Sequence, residues 1–272
     1  MPAPSTTRRL AATGAVIAFV VAVFLTVLAL GDDGGGVRDH GPAGDRPEVS
    51  AEQRRYDELT GRSARRTEGD PMAVGRADAP VVLVEYADYQ CSYCGEFART
   101  TRPELVERYV ERGLLRIEFR NFPIFGADSE RAARASWAAG RQGRFWEFHD
   151  ELFAHPRKGD ALAEDRLVEL ARRGGVPDLD RFRRDLNGEA AGAALERDRE
   201  QGYRLGVQST PSFLVNGRPV AGAQPVSVFA EVIDDAAAAA RRGGTDGTEG
   251  ADGADGARRP DGGTGGDEPG GR

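Results

Sequence analysis

Short apolar runs alternate with longer amphipathic segments through the middle of this chain. A β-branched run at residues 81–86 predicts a buried strand, and residues 114–119 predict a second strand. The intervening residues 94–112 interleave charged and apolar positions and predict a helix, in which Pro103 should produce a kink. A strand, a helix and a strand in this order predict two parallel strands of an α/β sheet.

Helical patterning fills the segment from about residue 128 to residue 203, where glycines and a proline separate the helices. The helices are predicted at residues 129–142, 145–153, 164–173, 179–186 and 190–205. The pattern therefore predicts a predominantly helical stretch between the first two strands and the strands that follow.

The strand pattern returns after this helical stretch. Residues 212–215 and 218–220 are predicted strands, and Asn216-Gly217 between them is typical of a two-residue hairpin turn. A helix is predicted over residues 226–240. The folded domain is therefore predicted to cover residues 71–240.

The N-terminal region has a different pattern, because residues 10–30 carry no charge and are mostly apolar. As a helix this segment would be about 31 Å long, close to the hydrocarbon thickness of a bilayer. Arg8 and Arg9 precede it, so the positive-inside tendency predicts residues 1–9 in the cytoplasm and the rest of the chain outside. A cleaved signal peptide is the alternative, but the apolar segment is longer than a typical signal core, which favours a transmembrane anchor.

Polar composition marks the two segments that flank the predicted domain. Residues 31–70 are rich in Gly, Asp, Arg and Pro and predict a flexible linker, with a short local helix at about residues 51–59. Residues 241–272 lack apolar periodicity and predict a disordered tail. The formal net charge of −7, without a basic stripe, argues against binding of nucleic acid.

The chain has two cysteines, Cys91 and Cys94, placed where the first predicted strand gives way to a helix. A thiol near a helix N-terminus is acidified by free N–H groups and the helix dipole, which favours redox chemistry. A structural disulfide is an alternative, although so short a loop would contribute only about 2 kcal/mol. A zinc site is disfavoured because His40, His149 and His155 are scattered, and accidental burial of both cysteines is a further alternative.

Other stretches of the chain accompany the Cys-Ser-Tyr-Cys sequence. They are VEYADYQC at residues 84–91, FRNFP at 119–123, FWEFH at 145–149, TPSF at 210–213 and VNG at 215–217. With Thr210-Pro211 placed before a hairpin, the chain resembles the DsbA-like thiol–disulfide oxidoreductases over residues 71–240. The resemblance implies an α/β thioredoxin-like sheet with an inserted helical subdomain at about residues 128–203, preceded in this chain by one N-terminal transmembrane helix.

The resemblance also implies roles for individual residues. Cys91 would be the exposed nucleophile, and Cys94 would be the buried thiol that resolves the mixed disulfide. Pro211 matches the family's cis-proline, which would place the Thr210 backbone beside the disulfide, where it can pair with an extended substrate. An ordinary trans proline in a turn is the alternative.

Glu85 matches the buried acid of thioredoxin-like proteins, so its pKa should be raised and it would relay the Cys94 proton. A strand acid that faces solvent is the alternative. Ser92 and Tyr93 are candidate substrate-binding residues, and they stand where many oxidising members carry proline first and where DsbA carries histidine second. Because histidine can stabilise the reduced thiolate, a less oxidising couple is expected here. His149 is expected to be a packed helix residue rather than a catalyst.

Together these expectations describe a membrane-tethered, extracytoplasmic oxidase that exchanges disulfides with thiol-containing exported proteins. A quinone-linked membrane partner would reoxidise the pair, and no cofactor or metal is needed because the two sulfurs carry the electrons. A reductase or isomerase fed by a membrane electron donor is the first alternative, and the redox state of the pair in cells distinguishes it. The second is a peptide-binding, chaperone-like module, whose binding would survive replacement of Cys91 by serine.

Overall fold

The computed structural model describes residues 50–245 of the chain. The predicted transmembrane segment at residues 10–30 lies outside the described residues, as does most of the predicted C-terminal tail. Between residues 50 and 245, no helix combines the length and the apolar character needed to cross a bilayer.

A five-stranded mixed sheet forms the centre of the fold. Its strands are β1 Ala73–Val74, β2 Val81–Ala87, β3 Leu115–Asn121, β4 Ser212–Val215 and β5 Arg218–Ala221. They lie in the order β1-β3-β2-β4-β5. Strands β2 and β3 are parallel, with Val81 opposite Leu115 and Ala87 opposite Asn121, and the other neighbouring strands are antiparallel. The predicted parallel pair is therefore confirmed.

Helices account for most of the remaining described residues. They are α1 Ala51–Ser63, α2 Ser92–Glu96, α3 Arg102–Leu105, α4 Ala127–Gly140, α5 Phe145–Phe153, α6 Glu164–Arg173, α7 Leu179–Asn187, α8 Glu189–Arg204 and α9 Val226–Thr245. Helices α4 to α8 follow one another between β3 and β4, so the α/β sheet with an inserted helical subdomain is confirmed.

The helix after the cysteines, here called the active-site helix, is continuous from α2 through α3 but not uniformly α-helical. Phe97–Thr101 and Val106–Val110 form π-helical turns before and after α3. Pro103 lies between these turns, and a proline lacks the N–H that an ordinary α-helical bond requires. The interruption predicted at Pro103 thus takes the form of π-helical turns, and the helix begins at Ser92 rather than at residue 94.

Alternate residues of β2 face opposite sides of the sheet, and both sides are buried. Val81 and Leu83 pack beneath the active-site helix and α9, whereas Val82 and Val84 pack in a separate cluster. Glu85 follows the same alternation as Val81 and Leu83. The sequence of β2 therefore places a carboxyl group on the sheet face that carries the active-site helix.

The β4–β5 hairpin turns at the predicted dipeptide. Asn216 and Gly217 both have positive φ, 42° and 76°, as a two-residue hairpin of the primed type requires. Any side chain at Gly217 would also collide with α1, because a Cβ there would lie 2.0 Å from the carbonyl oxygen of Tyr56. The hairpin and α1 are therefore in close backbone contact.

The predicted flexible linker over residues 31–70 is wrong for residues 50–70. Helix α1 extends to Ser63, well beyond the predicted local helix, and its first turn is capped by the side chain of Ser50. The following backbone is fixed by Glu118 of β3, whose carboxylate accepts hydrogen bonds from the N–H groups of Arg65 and Arg66 at 2.9 and 2.8 Å. Order in this segment depends on a residue far along the chain. The tail prediction is likewise wrong for residues 241–245, which continue α9.

Glu118 is the centre of a buried ion cluster. Its carboxylate also accepts bonds from Arg116 at 2.8 Å and from Arg120 at 2.6 Å. Burial alone would raise the pKa of Glu118, but the Arg120 charge and the hydrogen bonds to the carboxylate outweigh it and lower the pKa to about 2. This cluster joins the segment after α1 to the central sheet.

Candidate active site

Cys91 lies just beyond the carboxyl end of β2 and immediately precedes the first residue of the active-site helix. Its backbone is extended, and its carbonyl oxygen accepts the N–H of Gly95 at 3.1 Å. Cys94 lies in the first helical turn and is fully buried. Cys91 is also buried, with only 7% of its surface exposed, so the expectation of an exposed nucleophile is wrong, although Cys91 lines a surface cavity. Both cysteines are free thiols in this structure.

The two sulfurs differ strongly in acidity. A hydrogen bond from Cys94, together with the backbone N–H groups of Cys94 and Tyr93, lowers the pKa of Cys91 to about 6 despite partial burial. Burial, followed by the hydrogen bond and the charge of Cys91, raises the pKa of Cys94 well above its ordinary value. At neutral pH the nucleophile is therefore a thiolate at Cys91, and Cys94 holds its proton.

Thr210 and Pro211 reach the cysteines from the start of β4. The peptide bond between them is cis, as the resemblance implies. When Cys91 is protonated, its Sγ donates to the carbonyl oxygen of Thr210 at 3.2 Å. The Thr210 side-chain oxygen is buried without a hydrogen-bond partner among the described residues. The backbone of Thr210 is thus beside the reactive sulfur, where it can meet an extended peptide.

Asp88 holds the loops around Cys91 together, a role that the sequence did not reveal. Its buried carboxylate accepts from the backbone N–H groups of Gln90, Ile124 and Phe125 at 2.8, 2.7 and 3.1 Å. It also accepts the hydroxyl of Ser129 at 2.6 Å. In the sequence, the one local indication of this role is that Asp88 lies two residues before Gln90, a spacing typical of an Asx-turn.

A cavity of about 320 Å³ opens beside Cys91. Its lining residues are Gln90, Cys91, Ser92, Tyr93, Phe125, Lys158 and Thr210. Tyr93 and Phe125 are 62% and 54% exposed, so two aromatic rings are available to an incoming chain. Ser92, Tyr93 and Thr210, the predicted substrate-binding residues other than Pro211, thus share this cavity. Sequence reasoning missed Phe125 and Lys158.

Glu85 lies in the interior rather than in the cavity. Its side chain is fully buried, and neither carboxylate oxygen has a hydrogen-bond partner among the residues that the structure describes. Burial raises the pKa of Glu85 to about 8, against the opposing charge of Arg102. The alternative of a solvent-facing acid is therefore excluded. Because Glu85 is mainly neutral at pH 7, it is able to give a proton to a nearby base.

His149 is a packed residue of α5. It is fully buried among aromatic rings that include Tyr89 and Phe153, and its Nδ1 lies 2.8 Å from a carboxylate oxygen of Asp150. Burial lowers the pKa of His149 to about 4, so the imidazole is neutral at pH 7. Among the described residues, no hydrogen bond or ion pair joins it to Cys91 or Cys94.

Comparison with known proteins gives consistent matches. The sequence model of the family described as Thioredoxin matches residues 67–235. A probable disulfide bond formation protein D from Bacillus cereus is 33% identical over 151 residues, which are 53% of this chain and 69% of the relative. The structure of oxidised BdbD from Bacillus subtilis aligns with a TM-score of 0.58 at 25% identity, covering 63% of this chain and 94% of BdbD.

A second solved structure supports the fold alone. It is alpha-DsbA1 from Wolbachia pipientis, which aligns with a TM-score of 0.54 at 23% identity. The alignment covers 62% of this chain and 92% of that protein.

Proposed function

The chain belongs to the thioredoxin family, as a DsbA-like thiol–disulfide oxidoreductase, and from that membership we propose that it acts as an oxidase for exported proteins. One observation carries the proposal: an acidic Cys91 that lines the cavity is paired with a fully buried Cys94 that holds its proton. The low pKa of Cys91 supports the oxidase direction, because the more acidic sulfur leaves a mixed disulfide more readily.

The pKa of Cys91, about 6, allows the oxidising strength of the Cys91–Cys94 couple to be compared with that of thioredoxin and DsbA. The corresponding thiol has a pKa of about 7 in thioredoxin, a reductant, and about 3.5 in DsbA, a strong oxidant. A stabilised thiolate makes the dithiol form more favourable and the disulfide more oxidising. This chain should therefore be more oxidising than thioredoxin and less oxidising than DsbA.

The reaction proceeds in two displacements. A substrate thiolate attacks Sγ of Cys91 in the Cys91–Cys94 disulfide, forming a mixed disulfide and releasing Cys94 as a thiolate. A second substrate thiolate then attacks the substrate sulfur of the mixed disulfide, and Cys91 leaves as a stable thiolate. The substrate loses two electrons and forms a disulfide, while the enzyme gains two electrons and becomes the dithiol.

Glu85 serves the first displacement. The Cys94 thiolate is released into an interior that strongly disfavours charge, so it must be protonated quickly. Glu85 is buried, neutral at pH 7 and without a hydrogen-bond partner among the described residues, which suits it to deliver that proton. In the return reaction, when the dithiol is reoxidised, the ionised Glu85 would accept the proton again.

The apolar N-terminal residues 10–30 support a proposal for the place of action. We infer that they anchor the chain in the cell membrane with the catalytic domain outside the cytoplasm, where disulfides persist. Exported proteins with free thiols would then be the substrates. A quinone-linked membrane partner would accept the two electrons of the dithiol and restore the disulfide. The name of the Bacillus cereus relative, a disulfide bond formation protein, supports this direction.

A refolding assay tests the proposal. The oxidised full-length chain is mixed with a reduced, unfolded protein whose activity requires disulfides, in the absence of other oxidants. Stoichiometric recovery of activity is expected, together with one equivalent of enzyme dithiol. The Cys91→Ser variant should give none. If the wild-type chain folds but leaves the substrate reduced, the oxidase proposal fails and the reductase alternative is favoured.

A further inference from the structure

Lys158 is the only lysine of the chain, and it lines the cavity that holds Cys91. It lies in the turn between α5 and the short helix Gly159–Leu162, and Gly159 has a positive φ of 55° there. The other side chains of the cavity wall are uncharged, apart from the Cys91 sulfur itself. The wall of this cavity therefore carries one ammonium group, and its other side chains, apart from the reactive thiol, are neutral.

The Lys158 side chain is exposed and has no carboxylate partner. Within residues 50–245 it makes no ion pair and no side-chain hydrogen bond. The neighbouring surface is different, because Arg131 and Arg134 of α4 pair with Asp128 and Glu130 at 2.9 and 3.0 Å. The charge of Lys158 is thus available to a group that enters the cavity.

Lys158 does not account for the acidity of Cys91. That acidity has other sources, namely the hydrogen bond from Cys94 and the backbone N–H groups of Cys94 and Tyr93. A role in tuning the thiolate therefore does not explain the position of the ammonium group. Interaction with a bound substrate would explain it.

We propose that Lys158 selects substrates that carry aspartate or glutamate two residues away from the cysteine that pairs with Cys91. The inference rests on the proposed oxidase function and adds a substrate class to it. An extended peptide beside the Thr210 backbone would place its cysteine at Cys91, and side chains two residues apart would face the same wall. An acidic side chain there would give Lys158 its missing partner, in a cavity whose other surfaces are Tyr93 and Phe125.

The expected selectivity is modest, because the pair would be open to solvent. Opposite charges about 4 Å apart in water favour association by a factor of about five. Added salt should reduce the factor, since exposed charges are screened.

The test isolates one displacement in the full-length chain carrying Cys94→Ser, reduced and held in neutral detergent. Pentapeptides with a central cysteine and with Asp, Asn or Lys at both end positions, two residues from that cysteine, are supplied as 2-pyridyl disulfides. The Cys91 thiolate attacks the peptide sulfur, a Cys91–peptide disulfide forms, and pyridine-2-thione leaves with the electron pair. Its absorbance gives the rate.

We expect the Asp peptide to react about fivefold faster than the neutral Asn peptide when Lys158 is present, and the Lys peptide to react more slowly than the Asn peptide. The preference should vanish in Lys158→Met and reverse in Lys158→Glu, and it should weaken with salt. Arg55→Met is the matched control, because Arg55 is an exposed cation of α1 and is not among the cavity-lining residues. The preference of Arg55→Met for the Asp peptide should equal that of the Cys94→Ser chain from which it is made.

The outcomes separate the inference from the oxidase proposal. One outcome is that the Asn peptide reacts normally in every variant while the ratio of the Asp rate to the Lys rate is the same whichever residue occupies position 158. In that case charge selection is wrong and peptide exchange stands. If no peptide reacts although a small 2-pyridyl disulfide does, both claims fail. The reaction rate of the neutral Asn peptide also shows whether the cavity keeps its structure in each variant.

Discussion

Replacement of Glu85 by glutamine should increase the stability of the protein at alkaline pH while impairing its catalysis. Glu85 is fully buried and lacks hydrogen-bond partners among the described residues, and its pKa is raised to about 8. A carboxyl group whose folded pKa lies above its unfolded value favours the folded state only while it is protonated. Its contribution is fully present below the unfolded pKa of about 4.5 and is lost as the pH rises through about 8.

The size of the effect follows from the two pKa values. The folded and unfolded values are about 8 and 4.5, and each unit of difference corresponds to about 1.4 kcal/mol. Ionisation of Glu85 in the folded protein therefore costs on the order of 5 kcal/mol, as an upper value, because water entry or local movement would relieve part of it. Glutamine is close in shape and never ionises. Glu85→Gln should thus match the wild type near pH 4 and exceed it by about 3–5 kcal/mol above pH 8.

Urea unfolding of the reduced protein at both pH values measures this difference. Glu107→Gln, an exposed change on the active-site helix, is the control and should alter stability little at either pH. Glu85→Gln should also slow reduction of the Cys91–Cys94 disulfide by a substrate thiol, by about tenfold or more, because the Cys94 thiolate loses its proton source. If wild type and Glu85→Gln show parallel pH dependences, Glu85 is not a neutral buried acid and the relay is wrong.

Three further predictions concern single residues. Thiolate absorbance of the reduced protein should titrate at about pH 6 through Cys91, and a first transition near the ordinary thiol value would contradict the proposed nucleophile. Glu118→Gln should destabilise the fold by about 3–5 kcal/mol in urea, because the buried Arg120 charge loses its partner; a change below about 1 kcal/mol would refute the ion cluster. The wild-type contribution of Glu118 should be lost as the pH falls from about 4.5 through about 2, since its folded pKa is depressed. Gly217→Ala should cost about 2 kcal/mol or more, through its positive φ and the collision with Tyr56, and unchanged stability would show that α1 does not pack there.

Local patterning predicted most of the elements of the domain. The helices at residues 145–153 and 164–173 and the strand at 212–215 were predicted with the bounds that the structure has. Their apolar spacing and their flanking glycines act over a few residues, so the sequence alone suffices. The chemistry was also indicated by the sequence. The two cysteines lie close together along the chain, and Thr210-Pro211 matches a pattern of a known family.

Features that depend on distant residues could not be predicted in this way. The segment after α1 is polar and resembles a linker, and its order comes from Glu118 in β3. Asp88 organises the site through loops that follow β2 and β3, which the sequence does not show to be adjacent. Lys158 reaches the cavity only because of the path of a turn in the helical insertion. In each case tertiary contact, rather than local propensity, decides the outcome.

The reduction potential of the Cys91–Cys94 couple, measured by equilibration with glutathione, tests the central claim most directly. The Cys91 pKa of about 6 predicts a potential between those of DsbA and thioredoxin, about −120 and about −270 mV, so that the disulfide is donated to substrates. A value at or below about −270 mV would contradict the oxidase function, because the couple would then tend to reduce the disulfides that it is proposed to form.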